Sequence, residues 1–199
     1  GNCETRGQHR RCAGRHASGK EWVKMGLARG IRWMRRRDPD VILIGESRDR
    51  ETAEMAFSAA MTGHQVYSTL HTNSAVGAIP RLLDIGILPD IMAGNIIGIV
   101  AQRLIRRLCP ACKESFDADE VERRLLGLSE AHPPATIYRA KGCQKCAHQG
   151  YKGRISIVEI LKLNSDLDDL IARRATTSEL KKKAISMGFR PIVEDAVRR

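Results

Sequence analysis

Four of the six cysteines stand as two Cys-x₂-Cys pairs, CPAC at 109–112 and CQKC at 143–146. Two such pairs close a tetrahedral shell of four thiolates around one Zn²⁺ and leave no open position for water. This feature constrains the fold most, because residues 112 and 143 must return to within bonding reach of one ion. Segment 113–142 is polar, carries Pro133-Pro134, and lacks apolar mass of its own. A metal there is a staple holding both ends of a loop, not a reaction centre. The bland alternative is four reduced, unliganded thiols. Without a secretory signal ahead of them, the pairs favour metal binding over disulfides. Arg106, Arg107, Lys113, Lys141 and Lys145 lie nearby in sequence and would offset the negative charge of the thiolates. Cys3 and Cys12 show no metal-like spacing.

A chain of 199 residues holds one ordinary domain plus a small appendage. No run of eighteen apolar residues marks a membrane span, and no charged-then-apolar start marks a signal peptide. The net charge of +11 is unevenly spread: residues 1–37 hold eleven Lys/Arg against two acidic residues, and the remainder is nearly balanced. Such an arm suits phosphates or anionic lipid, or is a solvated or non-native flank. Zinc ribbons often bind nucleic acid, but only eight Phe, Trp and Tyr are available for stacking, and the charge excess lies far from the cysteines.

From Asp40 onward the pattern is orderly. VILIGE (41–46) is a short apolar run of the kind buried in parallel sheets. Asp49 is placed to cap a helix that Gly63 ends. QVYSTLHT (65–72) reads as a second strand, followed by helical stretches at about 74–84 and 90–108. Strand and helix alternating at this spacing imply βαβ units and an α/β domain. RISIVEIL (154–161) reads as a strand returning to that domain, with two helices after it. Thr176-x-x-Glu179 has the form of a capping box for the second, and Gly188 a stop.

In open α/β sheets ligands sit at the carboxyl ends of strands, which is where Glu46 falls. A carboxylate there orients an attacking water or acts through Mg²⁺. His64 and His71 are seven positions apart; on one strand they would lie roughly 20 Å apart and could not share a ligand. His71 falls at the same strand end as Glu46 and is suited to donate to a γ-phosphate. For either histidine a satisfied structural role is the alternative.

RRDPDVILIGESRDRETAEMAFSAAMTGHQVYSTLHTNSA (36–75) resembles the Walker B and His boxes of the secretion ATPases, the motors of type II secretion and type IV pilus assembly. The resemblance continues through GAIPRLLDIGI, IVAQRLIRRLCPAC and GCQKCAHQGYKGRISIVEIL, and covers roughly residues 24–199. It implies a partial RecA-like parallel-sheet ATPase core over 24–108, a zinc-binding insertion over 109–150, and a strand and helical part over 151–199. Residues 1–23 are a basic flank without assignment. It also implies ATP and Mg²⁺ as cofactors beside structural Zn²⁺, and a homo-hexamer. The expected setting is cytoplasmic and peripheral at the inner membrane, working on its platform proteins, with no nucleic-acid partner. Carried over by position, Glu46 is the catalytic carboxylate. His64, His71 and Arg103 belong to nucleotide binding, and Cys109, Cys112, Cys143 and Cys146 are the zinc ligands.

The chain departs from the family in two places. Ser47 stands where the family usually has an apolar residue, and neither the upstream P-loop nor the acidic Asp box is present. GRHASGKE (14–21) spells most of a P-loop, but Glu21 replaces the Mg²⁺-binding hydroxyl residue and no apolar strand precedes it. Lys20 also lies only 21 positions before Val41, too close for the family's intervening elements. The chain is therefore expected to be a carboxy-terminal part of such a motor, inactive alone. A basic zinc-binding nucleic-acid module and a non-catalytic assembly subunit are the alternatives.

Overall fold

The computed structural model describes residues 30–32, 36, 39–128 and 135–198. GRHASGKE and the basic flank lie outside them. The chain forms two compact units, one built from residues up to Leu70 with Leu82–Ile91, the other from His71–Arg81 with Met92 onward.

In the first unit, β1 (Val41–Ile44) and β2 (Gln65–Ser68) pair in parallel, with Ile42 opposite Val66 and Leu43 opposite Tyr67. The connection between them is α1 (Arg50–Met61), making a βαβ unit as expected. Alternation in β1 decides what is buried. Ile42 and Ile44 point into a cluster with Ile31, Ala56 and Ala59, while Val41, Leu43 and Tyr67 on the opposite face are 55%, 73% and 55% exposed. A parallel sheet normally buries both faces; here only one is covered among the described residues.

Asp49 caps α1, its Oδ1 accepting from the Thr52 amide at 2.8 Å and its Oδ2 from the Thr52 hydroxyl at 2.9 Å. Gly63 leaves the helix at φ +91°, the left-handed region that ends helices cheaply. α2 (Ala78–Ile85) stops at Gly86 (φ +100°), where an added Cβ would lie 3.1 Å from Arg50 Cδ. A single short turn, α3 (Pro89–Met92), follows.

The second unit rests on a long antiparallel pair, β3 (Gly98–Leu108) and β6 (Tyr151–Lys162), in register from Gly98↔Lys162 to Arg106↔Arg154 and shifted before Leu108↔Tyr151. This corrects two expectations. Residues 98–108 are not helical: Ile99, Ala101, Arg103 and Ile105 alternate along one face, and the pairing with β6 overrides the helix preference of Gln, Arg and Leu. And β6 joins β3 rather than the β1–β2 sheet.

The 113–142 insertion has structure of its own: β4 (Lys113–Asp117) pairs antiparallel with β5 (Thr136–Ala140), and α4 (Glu120–Leu125) starts with a capping box between Asp119 and Glu122. Past β6, α5 (Ser165–Ala172) and α6 (Thr177–Ser186) pack Leu167, Leu170, Ile171, Leu180 and Ala184 inward, α6 opening with the Thr176–Glu179 capping box. Gly188 follows the C-cap at φ +90°. A third helix, α7 (Ile192–Arg198), exceeds the two expected.

Backbone donation from Thr52 holds the Asp49 carboxyl below its ordinary range. A depressed folded value means that the cap's charge contributes fully above the unfolded pKa of about 3.9 and is lost as pH falls through the folded one. Asp49→Ala should cost about 1 kcal/mol in urea unfolding at pH 7. The difference from the unmodified chain should shrink near pH 3, while Asp49→Asn keeps most of the cap at both pH values.

Candidate functional site

The tetracysteine site forms where β3 ends and β6 begins. The Cys109 amide donates to Gly150 O at 2.9 Å, so the outermost rung of the β3–β6 ladder sets the first ligand against the end of the second knuckle. All four Sγ atoms lie within 4.8 Å of one another, and the Cys112–Cys146 and Cys143–Cys146 pairs are each 3.8 Å apart. Four thiolates at the usual Zn–S length of about 2.3 Å sit about 3.8 Å from each other, so the donor set fits tetrahedral zinc. Cys109 and Cys146 are buried and the other two half-buried.

Each knuckle turns tightly. Cys112 and Lys113 donate to Cys109 O, and Cys146 and His148 to Cys143 O. Burial opposes ionisation of Cys146, but the amides of Cys143 and Gly150, each 3.2 Å from its Sγ, outweigh this and bring its pKa down to about 6. Cys112 is driven the other way, by burial first and then by the neighbouring thiols, up to about 12. Metal binding to thiols requires the thiolate form, so loading releases protons.

The expected cationic offset is only partly realised. Arg106 stacks on Tyr151 at 4.1 Å and Lys113 on Tyr138 at 4.0 Å. Lys141 pairs with Glu114 at 2.5 Å; that carboxylate is the main cause of its raised pKa, with attraction to Cys112 contributing least.

Two glycines have no substitute. Gly142 (φ +104°) would place a Cβ 2.6 Å from His148 O, and Gly150 (φ +75°) one 2.6 Å from Ala140 Cβ.

Glu46 lies two residues past Ile44, at the carboxyl end of a parallel strand, and is half-buried. Its Oε2 accepts from Arg48 Nε at 2.6 Å, a bond that raises the Arg48 pKa. Ser47, in the position that is usually apolar, is buried and satisfied: its hydroxyl shares a hydrogen bond with Ser68 at 2.8 Å and its amide donates to Thr69 O at 3.1 Å. A second hydroxyl bond, from Thr69 to Gly45 O, ties the same two strand ends.

His64 sits at the end of α1, its Nδ1 3.2 Å from Ala59 O and 3.2 Å from Thr62 Oγ1. It closes the helix end. His71 is exposed and lies beyond β2, which stops at Ser68, so the two histidines do not share a strand. Arg103 reaches the same loop: its Nη2 donates to Thr72 O at 3.2 Å and to Asn73 Oδ1 at 3.0 Å. The second unit therefore brings Arg103 to the 71–73 loop, while Glu46 and His64 belong to the first.

Sequence reasoning missed Glu159. It shares the inward face of β6 with Ile157 and Leu161 and is 4% exposed. An acid in period with buried Ile and Leu was the available signal.

Residues 8–198 match the family model described as type II/IV secretion system protein. The chain is thus of the secretion-system class that its sequence resembled, and it belongs to the type II/IV secretion system protein family. It is 49% identical over 177 residues to the type II secretion system protein E of Pseudomonas aeruginosa, covering 89% of this chain and 35% of that one. Identity is also 49% over 160 residues to the type II secretion system ATPase E of Vibrio cholerae, with 80% and 32% covered. For the type IV pilus assembly ATPase TfpB of Acinetobacter baylyi it is 43% over 171 residues, with 85% and 29% covered. The chain spans about a third of the length of the curated relatives it matches. Among solved structures, the Legionella pneumophila ATPase DotB superposes with a TM-score of 0.55 at 22% identity, over 85% of this chain and 37% of that one, a likeness of fold alone. The pilus retraction motor PilT with bound ADP gives a TM-score of 0.50 at 26% identity, over 85% and 42%.

Cys143→Ser should lower bound zinc from about one equivalent per chain to near none, read with a metal indicator after denaturation. Gly142→Ala should keep all four thiols yet weaken zinc binding about 10- to 100-fold, since it displaces the backbone that orients the knuckle.

Proposed function

We propose that this chain is the carboxy-terminal part of a hexameric ATPase that couples ATP hydrolysis to assembly of pilus or pseudopilus subunits. The observation that carries the reading is Glu46: a half-buried carboxylate two residues past the end of a parallel strand of a βαβ unit, where open α/β sheets bind their ligands. Supporting it, every relative compared above at 40% identity or more bears a secretion or pilus-assembly name, and two of the three are called ATPases.

In this reading the first unit is one edge of a RecA-like parallel sheet. The exposed Val41, Leu43 and Tyr67 form the face that further segments of the full-length protein cover. Glu46 would orient the attacking water; ionised, it accepts hydrogen bonds only, so it can hold a water without losing it to a competing donor role. Arg48 aims that carboxylate before nucleotide arrives. His71 and Arg103 would face the phosphates from the loop that Arg103 pins. His64, already bonded to the end of α1, would act on the site through the helix. ATP supplies the transferable phosphoryl group and Mg²⁺ the charge neutralisation; the zinc shell holds the hairpin that carries Arg103. No helix among the described residues is long and apolar enough to cross a membrane. A cytoplasmic protein docked on inner-membrane platform proteins is the setting we infer.

The full-length protein should hydrolyse MgATP, and Glu46→Gln should reduce kcat about 10²- to 10⁴-fold with the fold intact. The 199-residue chain alone should show no turnover. Equal turnover by Glu46→Gln would defeat the assignment of Glu46, and a full-length protein inert toward MgATP would favour a non-catalytic assembly subunit.

A further inference from the structure

Among the described residues, Glu159 is the one carboxylate with a side chain buried in the middle of a strand, and both its oxygens are used by backbone amides. Oε1 accepts from Ala75 N at 2.5 Å and Oε2 from Ile192 N at 2.7 Å. Ala75 lies 84 positions upstream and Ile192 33 downstream. No ion pair reaches this carboxylate among the described residues. Burying a carboxylate without a cation is costly unless main-chain donors hold it. Two amides from two separate segments do so here.

The surroundings give these bonds a direction. Ala75 is fully buried, in a loop that precedes α2, and among the described residues its amide takes part in no other backbone hydrogen bond. Four residues before it is His71. Arg103, on β3, grips the same loop at Thr72 and Asn73. Glu159 faces Ala101 across the β3–β6 ladder, two positions from Arg103 on the same inward face. A cation and an anion from adjacent positions of one ladder therefore hold the two ends of segment 72–75. On the far side, α7 is docked reciprocally: its Ile192 amide goes to Glu159, and its Asp195 accepts from Val158 N at 2.9 Å.

We propose that Glu159 is a positioning residue that fixes the 71–75 loop, and with it His71, to the zinc-bearing hairpin and to α7. The proposal rests on the nucleotide-site reading above for its functional half; the clamp itself rests on geometry alone. A rigid ladder with a zinc shell at one end and this clamp at its middle presents His71 at a fixed position. Loss of the clamp would leave nucleotide binding largely in place and cost the step that needs His71 aligned.

The test uses the full-length protein, with amide exchange read residue by residue and MgATP turnover read alongside. In the unmodified protein the Ala75 amide should be slow despite lying in a loop. In Glu159→Gln the side chain keeps one acceptor oxygen and turns an NH₂ toward the other donor. Exchange at Ala75 or Ile192 should then accelerate on the order of 10- to 100-fold. Turnover should show a kcat lowered about tenfold with KM little changed. Asp195→Ala, which removes the acceptor of Val158 N and leaves both Glu159 bonds in place, should loosen α7 and leave both Ala75 exchange and kcat as they were. Fast exchange at Ala75 in the unmodified protein would overturn the clamp without any variant having to fold. Accelerated exchange in Glu159→Gln with an unchanged kcat would overturn its role in positioning. An unmodified protein without turnover would sink the nucleotide reading instead, and the amide data would still decide the clamp.

Discussion

The pairing of β3 with β6 is the interaction on which the second unit depends. Ten residues of each strand meet their partner in one antiparallel ladder. The ladder's outer end delivers Cys109 to Gly150, and so brings two cysteine knuckles to one point. Its inward face supplies Ile157, Leu161 and Glu159 to the core, and Arg103 to the 71–73 loop. Unpairing the strands would scatter the metal ligands and release the loop together. A two-stranded ribbon is marginal in water, and here it is reinforced at both ends: by thiolate chemistry at the turn and by α5 and α6 packing below.

What could be read from the sequence divides along the range of the interaction involved. The gathering of the four cysteines was legible because tetrahedral thiolate chemistry fixes local spacing, whatever the fold around it. The caps at Asp49 and Thr176 were legible for the same reason, each being closed within three residues. Residues 98–108 were not. Gln, Arg and Leu favour helix locally, and only a partner strand some fifty positions away turns that segment into β structure. Strand β2 was read too long, because Thr69 and Leu70 look β-prone but the ladder to β1 ends at Ser68.

Glu159 lies at the far end of this scale. Its donors come from positions 75 and 192, so nothing within a helical turn or a strand repeat announces them. The only local trace is an acid where the alternation calls for an apolar side chain. Ser47 is a smaller case of the same rule: a polar residue in an apolar position, made acceptable by Ser68 on the neighbouring strand. In both, a sequence irregularity marks a place where two strands or loops are fastened by a polar bond. The family match over residues 8–198 agrees with the family resemblance read from the sequence; these long-range fastenings come from the structure.

The half-covered sheet of the first unit bears on how this polypeptide behaves by itself. Among the described residues, Leu43 and Tyr67 stand side by side across β1 and β2 on an open face, and the two-stranded sheet offers unpaired backbone along both outer edges. Such a surface invites another copy to add itself edge to edge or face to face. Dimers or larger species formed by the isolated chain would then report stickiness of an uncovered sheet, not the architecture of a motor ring. Polar substitutions at Leu43 and Tyr67 would be the first step toward a well-behaved sample.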